Sequence, residues 1–368
     1  MKIMIVLPNL RHGGSERVAA NIANFWAAQG KTVVVTTFEA PTRHDYPLRS
    51  EVEQVSLAFP GESVERYGTF LKLARRLWTF RRIVRTRAPD VVIGFMPSAN
   101  VLVALACFGL KCRTIGSERA HPPQMPLMSV WKMVRRLTYR LLSVVVAQTR
   151  DTADWLRTNT SAGKIAIIPN PIKWPIASFE PVVAPGSICP AGRKILLAVG
   201  RLDHQKGFSH LLNAFAEISR TRPDWSLVIL GDGPLRSDLR RQAEAAGIAD
   251  RVLMPGYVGN VADWYQRASL FVLSSLFEGF PNVLAEAMAA GLPAVSFDCD
   301  TGPRDIVRSG IDGLLVPNGD VAAMSQALAR LMDDEALRKQ MAMRAVDVRE
   351  TLSEPVVMRS WEQLFAEI

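Results

Sequence analysis

Apolar and polar positions along this chain switch repeatedly between a short-run pattern and a helical one. Residues 2–8 read as a strand, 15–29 as a helix stopped by Gly30, and 32–38 as a second strand. Further strand-like runs follow at 91–95, 113–116, 144–147 and 165–168, with helical stretches between most of them. Short β-rich runs separated by helices predict βα units and a parallel sheet. The pattern breaks at 169–192, where Pro169, Pro171, Pro175, Pro181, Pro185 and Pro190 make poor helix or strand material. It restarts with strands at 195–199, 227–230, 270–273 and 294–297, and helices at 208–219, 235–245 and 283–290. Val357, Trp361 and Phe365 then recur at helical spacing in a closing helix over 355–365. The expectation is an α/β protein of two Rossmann-like doubly wound domains facing a cleft. Their bounds are 1–170 and 193–350, with a Pro-rich linker at 171–192 and a closing segment at 351–368.

A length of 368 residues suits two such domains, and 48% apolar with 21% charged residues excludes disordered, collagenous and coiled-coil classes. Cys107, Cys112, Cys189 and Cys299 show no CxxC spacing and no His partners, so they predict reduced thiols in a cytoplasm rather than disulfides or zinc. The apolar run after Lys2 ends at Pro8, too early for a secretory leader. The run at 101–110 is too short to span a bilayer. The net charge of +9 is uneven. Residues 1–170 carry 24 Lys and Arg against 11 Asp and Glu, while 171–368 carry 20 against 24.

Three strand–helix junctions carry candidate chemistry. Gly13-Gly14 offers free backbone N–H groups and a helix N-terminus to a phosphate or sugar oxygen, or it is an ordinary tight turn; it matches neither G-x-G-x-x-G nor a Walker loop. Gly200-Arg201 through Lys206-Gly207 sets a planar fork and a point charge at one strand end, a combination suited to a diphosphate. Glu278-Gly279-Phe280-Pro281-Asn282-Val283-Leu284 leads to Glu286. It places one carboxylate in a Gly/Pro turn and a second about one turn inside a helix that Asn282 is suited to cap. Glu286 can accept hydrogen bonds from a vicinal diol such as ribose.

Glu278 to Glu286 resembles the E-x7-E signature of retaining glycosyltransferases of the GT-B fold, family 4. Gly231-Asp232-Gly233-Pro234, Gly291-Leu292-Pro293, Gly302-Pro303-Arg304-Asp305 and Asp312-Gly313 extend the likeness over most of the chain. The resemblance implies a metal-independent hexosyltransferase with no cofactor, using a nucleotide sugar held mainly by the second domain. Arg201 and Lys206 would neutralise the donor diphosphate, and Glu286 would hold the ribose. Glu278 and backbone N–H groups from Phe280 to Leu284 would orient the sugar, and Gly14 would approach the diphosphate. Attack would be front-face, a donor phosphate oxygen taking the acceptor proton. His121, in Ser117-Glu118-Arg119-Ala120-His121, stands where members often carry a polar cleft residue; a plain loop histidine is the other reading. Glu118 and Arg119 read equally as an intraloop ion pair. Asp298-Cys299-Asp300 imitates a metal-binding D-x-D motif, but Arg201 and Lys206 already supply countercharge, so no metal is expected. The 298–305 region resembles members that use UDP-hexoses or UDP-N-acetylhexosamines.

The excess of positive charge lies in two segments of the first half. Arg66 to Arg87 holds eight cations, among them Lys72, Arg75, Arg76 and Arg82, with Phe70, Leu73 and Trp78 interleaved and no acid. Residues 129–142 hold Lys132, Arg135, Arg136 and Arg140 with Trp131. Basic helices with boundary aromatics suit an anionic membrane surface. Nucleic acid is the rival polyanion, and no recognised binding motif accompanies the charge. The expected protein adds a hexose or N-acetylhexosamine to a glycan or polyprenyl-linked glycan, peripherally at the inner face of the membrane. A sugar-nucleotide epimerase or hydrolase, and a non-catalytic nucleotide-sensing protein, are the alternatives.

Overall fold

The apolar runs become the strands of two separate, wholly parallel sheets. The structure, a computed structural model, describes residues 1–11, 13–43, 45–58, 70–124 and 128–368, with backbone alone at 70–73. Arg66 lies outside the described residues, as do the side chains of Phe70, Lys72 and Leu73. The chain divides into two compact units, 1–170 with 358–368 and 171–357.

The first unit holds β1 (Lys2–Leu7), β2 (Thr32–Thr37), β3 (Val52–Ser56), β4 (Val91–Phe95), β5 (Arg113–Ser117), β6 (Val144–Ala147) and β7 (Ile165–Ile167). Their order is β3-β2-β1-β4-β5-β6-β7, with Ile3 paired to Val33 on one side and Val91 on the other. Helices α1 (Gly14–Ala28), α2 (Phe70–Arg87), α3 (Pro97–Ala106), α4 (Ser129–Thr138) and α5 (Arg150–Asn159) connect the strands. A parallel sheet covered on both faces needs strands that are apolar throughout, and β1 and β4 are buried from end to end apart from Lys2. The terminal helix Glu354–Glu367 joins this unit from Met358 onward. There Trp26 meets Trp361 edge-on at 6.1 Å and Phe365 at 5.3 Å, and Arg113 Nη1 donates to the Phe365 carbonyl at 2.7 Å.

The second unit holds β8 (Lys194–Val199), β9 (Trp225–Leu230), β10 (Val252–Gly256), β11 (Leu270–Leu273), β12 (Ala294–Asp298) and β13 (Gly313–Pro317), ordered β10-β9-β8-β11-β12-β13. Residues 171–192 are part of this unit rather than a free linker. Ile172 and Cys189 are buried in its core, and the Asn260 amide clamps Val183, accepting from its N–H at 2.9 Å and donating to its carbonyl at 3.1 Å. The proline content marks irregular backbone, yet backbone and side-chain groups of the unit supply its hydrogen bonds, the Ile172 N–H donating to the Leu352 carbonyl at 2.7 Å and the Phe179 N–H to the Gly259 carbonyl at 3.2 Å.

Three strands escape the sequence pattern: β3, β10 and β13. Each is a sheet edge. An edge strand has one paired side and a less covered face, so its sequence is not driven to a continuous apolar run, and β10 even contains Pro255. In both sheets the strand order reverses beside the first strand, between β1 and β4 and between β8 and β11. Ligands of such sheets bind outside the strands' carboxyl ends at that point.

Candidate functional site

The loops after β8 and β11 flank the second unit's reversal point and are stitched together. Gln205 accepts from the Leu276 N–H at 2.8 Å through its carbonyl and donates to the Phe277 carbonyl at 3.0 Å; Ser274 Oγ donates to the Lys206 carbonyl at 2.8 Å. Gly207, at φ 60°, lies so close that a Cβ there would stand 2.1 Å from the Ser274 carbonyl oxygen. This stitching brings Lys206 Nζ to 2.6 Å from Glu278 Oε1, with side chains 17% and 6% exposed. Arg201 behaves differently. Its Nε bonds Asp203 at 2.6 Å while its side chain stays 73% exposed, leaving the outer edge of the guanidinium in solvent. Asp203 also caps the turn that carries Lys206.

Glu286 sits one turn into the helix Asn282–Ala289, buried, with the Tyr265 hydroxyl 3.4 Å from Oε2 and 3.3 Å from the Val283 carbonyl. The helix begins at Asn282, and its N-cap is Pro281 with no side-chain cap, so Asn282 is not the cap. The Asn282 and Leu284 N–H groups donate to the Phe280 and Pro281 carbonyls, each at 3.0 Å, and Pro281 has no N–H. None of the described hydrogen bonds uses the Gly279, Phe280 or Val283 N–H. Phe280 itself is in the core, which anchors the turn. Thr301 Oγ1 donates to the Glu278 carbonyl, tying the loop after β12 to the same turn. Neither Thr301's bond nor the place of Tyr265 follows from local sequence, because both join segments far apart in the chain. Asp298 bonds Arg304 at 2.9 Å, and Cys299 between the two aspartates is buried, its thiol pushed up to about 12 by desolvation and then by the Glu278 charge. Among the described residues no group of three His, Cys, Asp or Glu side chains could hold a metal ion.

In the first unit, Gly13 is the extended N-cap of α1, and Gly14 its first residue. The Glu16 carboxylate folds back over this end, and a Cβ on Gly13 would lie 1.9 Å from its Oε2. Burial raises the Glu16 carboxyl above the ordinary range. His121 is buried in the loop after β5. Glu118 and Arg119 are not an intraloop pair. Glu118 accepts from the Tyr139 hydroxyl and stands 4.0 Å from Arg135; burial, the largest influence, raises its carboxyl. Arg119 bonds Asn170 and stacks on Phe95 at 4.3 Å.

The basic helices divide by residue. On α2, Arg75, Trp78 and Arg82 are exposed, Trp78 at 64%, while Arg76 is half-buried over the Phe38 ring. On α4, Lys132 and Arg136 are exposed, but Trp131 packs against the core and Arg135 is buried over the Trp155 ring at 4.7 Å. Arg135 is drawn inward by Glu118 and so leaves the outer face, while Trp131 and Arg76 are each part-buried. In their place α4 presents Val130, Met133 and Leu137, with Met128 before it, each at least half exposed.

A family profile described as Glycosyltransferase Family 4 matches residues 12–173, and one described as Glycosyl transferases group 1 matches residues 187–347. An N-acetyl-D-galactosaminyltransferase of Campylobacter jejuni that acts on a diphospho-undecaprenol-linked glycan is 27% identical over 100% of this chain and 99% of its own. An exopolysaccharide phosphotransferase of Streptomyces coelicolor is 35% identical over 78% of this chain, which spans 30% of that protein's length. The crystal structure of Anabaena HepE in complex with UDP and glucose superposes over all of both chains with a TM-score of 0.81 at 18% identity, which shows a shared fold.

Proposed function

The chain belongs to the group 1 glycosyltransferases of family 4, a retaining family, and we propose that it moves a hexose or N-acetylhexosamine from a UDP-sugar to a lipid-linked or membrane-proximal glycan. The observation that carries the donor reading is the Lys206–Glu278 pair at the reversal point beside the exposed Arg201. A diphosphate there takes over the Lys206 ammonium and the outer edge of Arg201, and both cations stabilise the charge that grows on the leaving group. Glu278, released from Lys206, turns to hydroxyls of the donor sugar. Glu286, aligned by Tyr265, accepts from the ribose diol. The acceptor hydroxyl forms a bond to the anomeric carbon on the face from which the diphosphate departs. Its proton passes to a departing phosphate oxygen, so no enzymic nucleophile is required. Positioning and electrostatics supply the rate.

Support for UDP comes from the Anabaena protein, which holds UDP and glucose on the same fold. Support for a lipid-linked acceptor comes from the Campylobacter relative, whose glycan substrate is carried on diphospho-undecaprenol. The outer face of α4 favours a membrane-proximal acceptor. Val130, Met133 and Leu137 alternate with Lys132, Arg136 and the following Arg140, so apolar groups reach headgroup depth while cations meet anionic lipid. That face makes peripheral attachment at the inner side of the membrane the proposed location. No helix among the described residues is long and apolar enough to cross a membrane. UDP-, GDP- and ADP-sugars supplied with and without membrane extract, read by free nucleotide, test the whole reading. Release that requires both a UDP-sugar and extract is expected; equal release without extract indicates a hydrolase, and none with any donor refutes catalysis. On vesicles containing anionic lipid, Met133→Glu/Leu137→Glu is expected to sediment at least about tenfold less than the unmodified chain.

A further inference from the structure

Arg119 is unusual among the described arginines. Its side chain is buried at 5% exposure, no carboxylate pairs with it, and Nη1 alone has a hydrogen-bond partner, Asn170 Oδ1 at 2.5 Å. Nε and Nη2 are both buried without a partner. Those two nitrogens form the side-on edge of the guanidinium, the edge that meets both oxygens of a carboxylate or phosphate. Two preceding residues repeat the pattern, since Ser117 Oγ and Glu118 Oε2 are also buried without a hydrogen bond. Glu118 cannot serve Arg119, because Tyr139 and Arg135 hold it.

Position adds to this. Arg119 follows β5 and rests on Phe95 at the end of β4, while Gln148, just past β6, shares its Asn170 partner at 2.5 Å. The ring of Trp361 lies 5.9 Å away. The fork is therefore held rigidly at the carboxyl ends of three adjacent parallel strands, the side of a doubly wound sheet where ligands bind. Desolvation pushes the guanidinium down to about 9, a sign of how poorly its charge is compensated. A buried cation without a counter-charge is strongly unfavourable, and an oxyanion on its open edge would compensate it.

We propose that Arg119 forms an oxyanion-binding site in the first unit, its Nε–Nη2 edge taking two oxygens of one phosphate or carboxylate group. Assigning that anion to the sugar acceptor rests on the transferase reading; the binding itself does not. The fork is sealed from solvent, so the loop from Glu118 to His121 must shift to admit the anion.

The test is calorimetric titration of inorganic pyrophosphate, and separately of glucuronate, into full-length protein saturated with UDP, which occupies the donor site. Binding of one probe is expected, pyrophosphate marking a phosphorylated ligand and glucuronate an acidic sugar. Arg119→Lys keeps charge but loses the fork and should bind that probe about tenfold more weakly; Arg119→Gln should not bind it. The UDP affinity of both variants should equal that of the unmodified protein. If the unmodified protein binds neither probe, or Arg119→Lys binds as tightly, the proposal is overturned. A parallel fall in UDP affinity would overturn it too, since Arg119 would then be a structural residue. Failure to bind UDP at all would instead defeat the donor reading; the probes, titrated in the same way without UDP into the unmodified protein and Arg119→Lys, then support or overturn the Arg119 site by the same comparison.

Discussion

Substituting Lys206 and Glu278 one at a time should weaken nucleotide binding in the first case and not in the second. The two groups are 2.6 Å apart with little solvent access, so each holds the other in place before a donor arrives. Lys206→Met removes a charge-assisted contact to the diphosphate of about 1.5–3 kcal/mol. That corresponds to roughly 10- to 150-fold weaker UDP binding. It also leaves Glu278 as a buried, unpaired carboxylate. Breaking such a pair costs about 3–5 kcal/mol when fully buried, and about 2–3 kcal/mol is expected here because Lys206 retains some solvent contact. Glu278→Gln preserves volume and frees the ammonium from its competitor, so UDP should bind equally well or more tightly. Its sugar transfer should nevertheless fall by about a hundredfold or more, since misplacing a donor by one ångström has that effect. Calorimetry with UDP and a nucleotide-release assay separate the two quantities. If Glu278→Gln weakens UDP as much as Lys206→Met does, Lys206 is not the diphosphate cation and the reasoning fails.

The close approach of β8 and β9 ends should make Gly231→Ala severe. Gly231 has φ 132°, and an added Cβ would stand 2.0 Å from the Gly200 carbonyl oxygen. A loss of about 2–4 kcal/mol is expected from the strained backbone and the clash together, visible as a lower Tm and weaker UDP binding. Glu118 gives a pH signature. Its folded-state carboxyl is raised above 4.5, so the folded chain binds more protons than the unfolded one between the two values. Its contribution is therefore fully present below the unfolded pKa and is lost as pH rises through the folded one. Glu118→Gln should remove that fall, so the stability of the variant relative to the parent should increase from pH 4 to pH 8 in denaturant titrations; no change with pH would refute it.

Much of the candidate site is legible in the sequence because its residues sit in local patterns. A strand followed by Gly200-Arg201, or Glu278 and Glu286 eight positions apart, is a short-range feature of strand ends and helix starts. The departures share a cause. Arg135 falls in a basic amphipathic stretch, but its direction is set by Glu118 and by the Trp155 ring, neither of which is local. Arg119 reads in the sequence as a partner for the acid beside it. Adjacent residues at a strand end point different ways, and Glu118 turns to Tyr139 while Arg119 turns to Asn170.

What the amino-acid order alone determined is the pair of parallel sheets, their central strands and the loops that carry Arg201, Lys206, Glu278 and Glu286. A strand buried on both faces must be apolar along its whole length, and that constraint is written locally. The tertiary structure decided the edge strands β3, β10 and β13, the inclusion of 171–192 in the second unit and the return of 358–368 to the first. It also decided which basic side chains face outward and left the Nε–Nη2 edge of Arg119 buried without a hydrogen-bond partner. These depend on what distant segments place opposite a residue, since burial and electrostatic pairing are properties of neighbours in space.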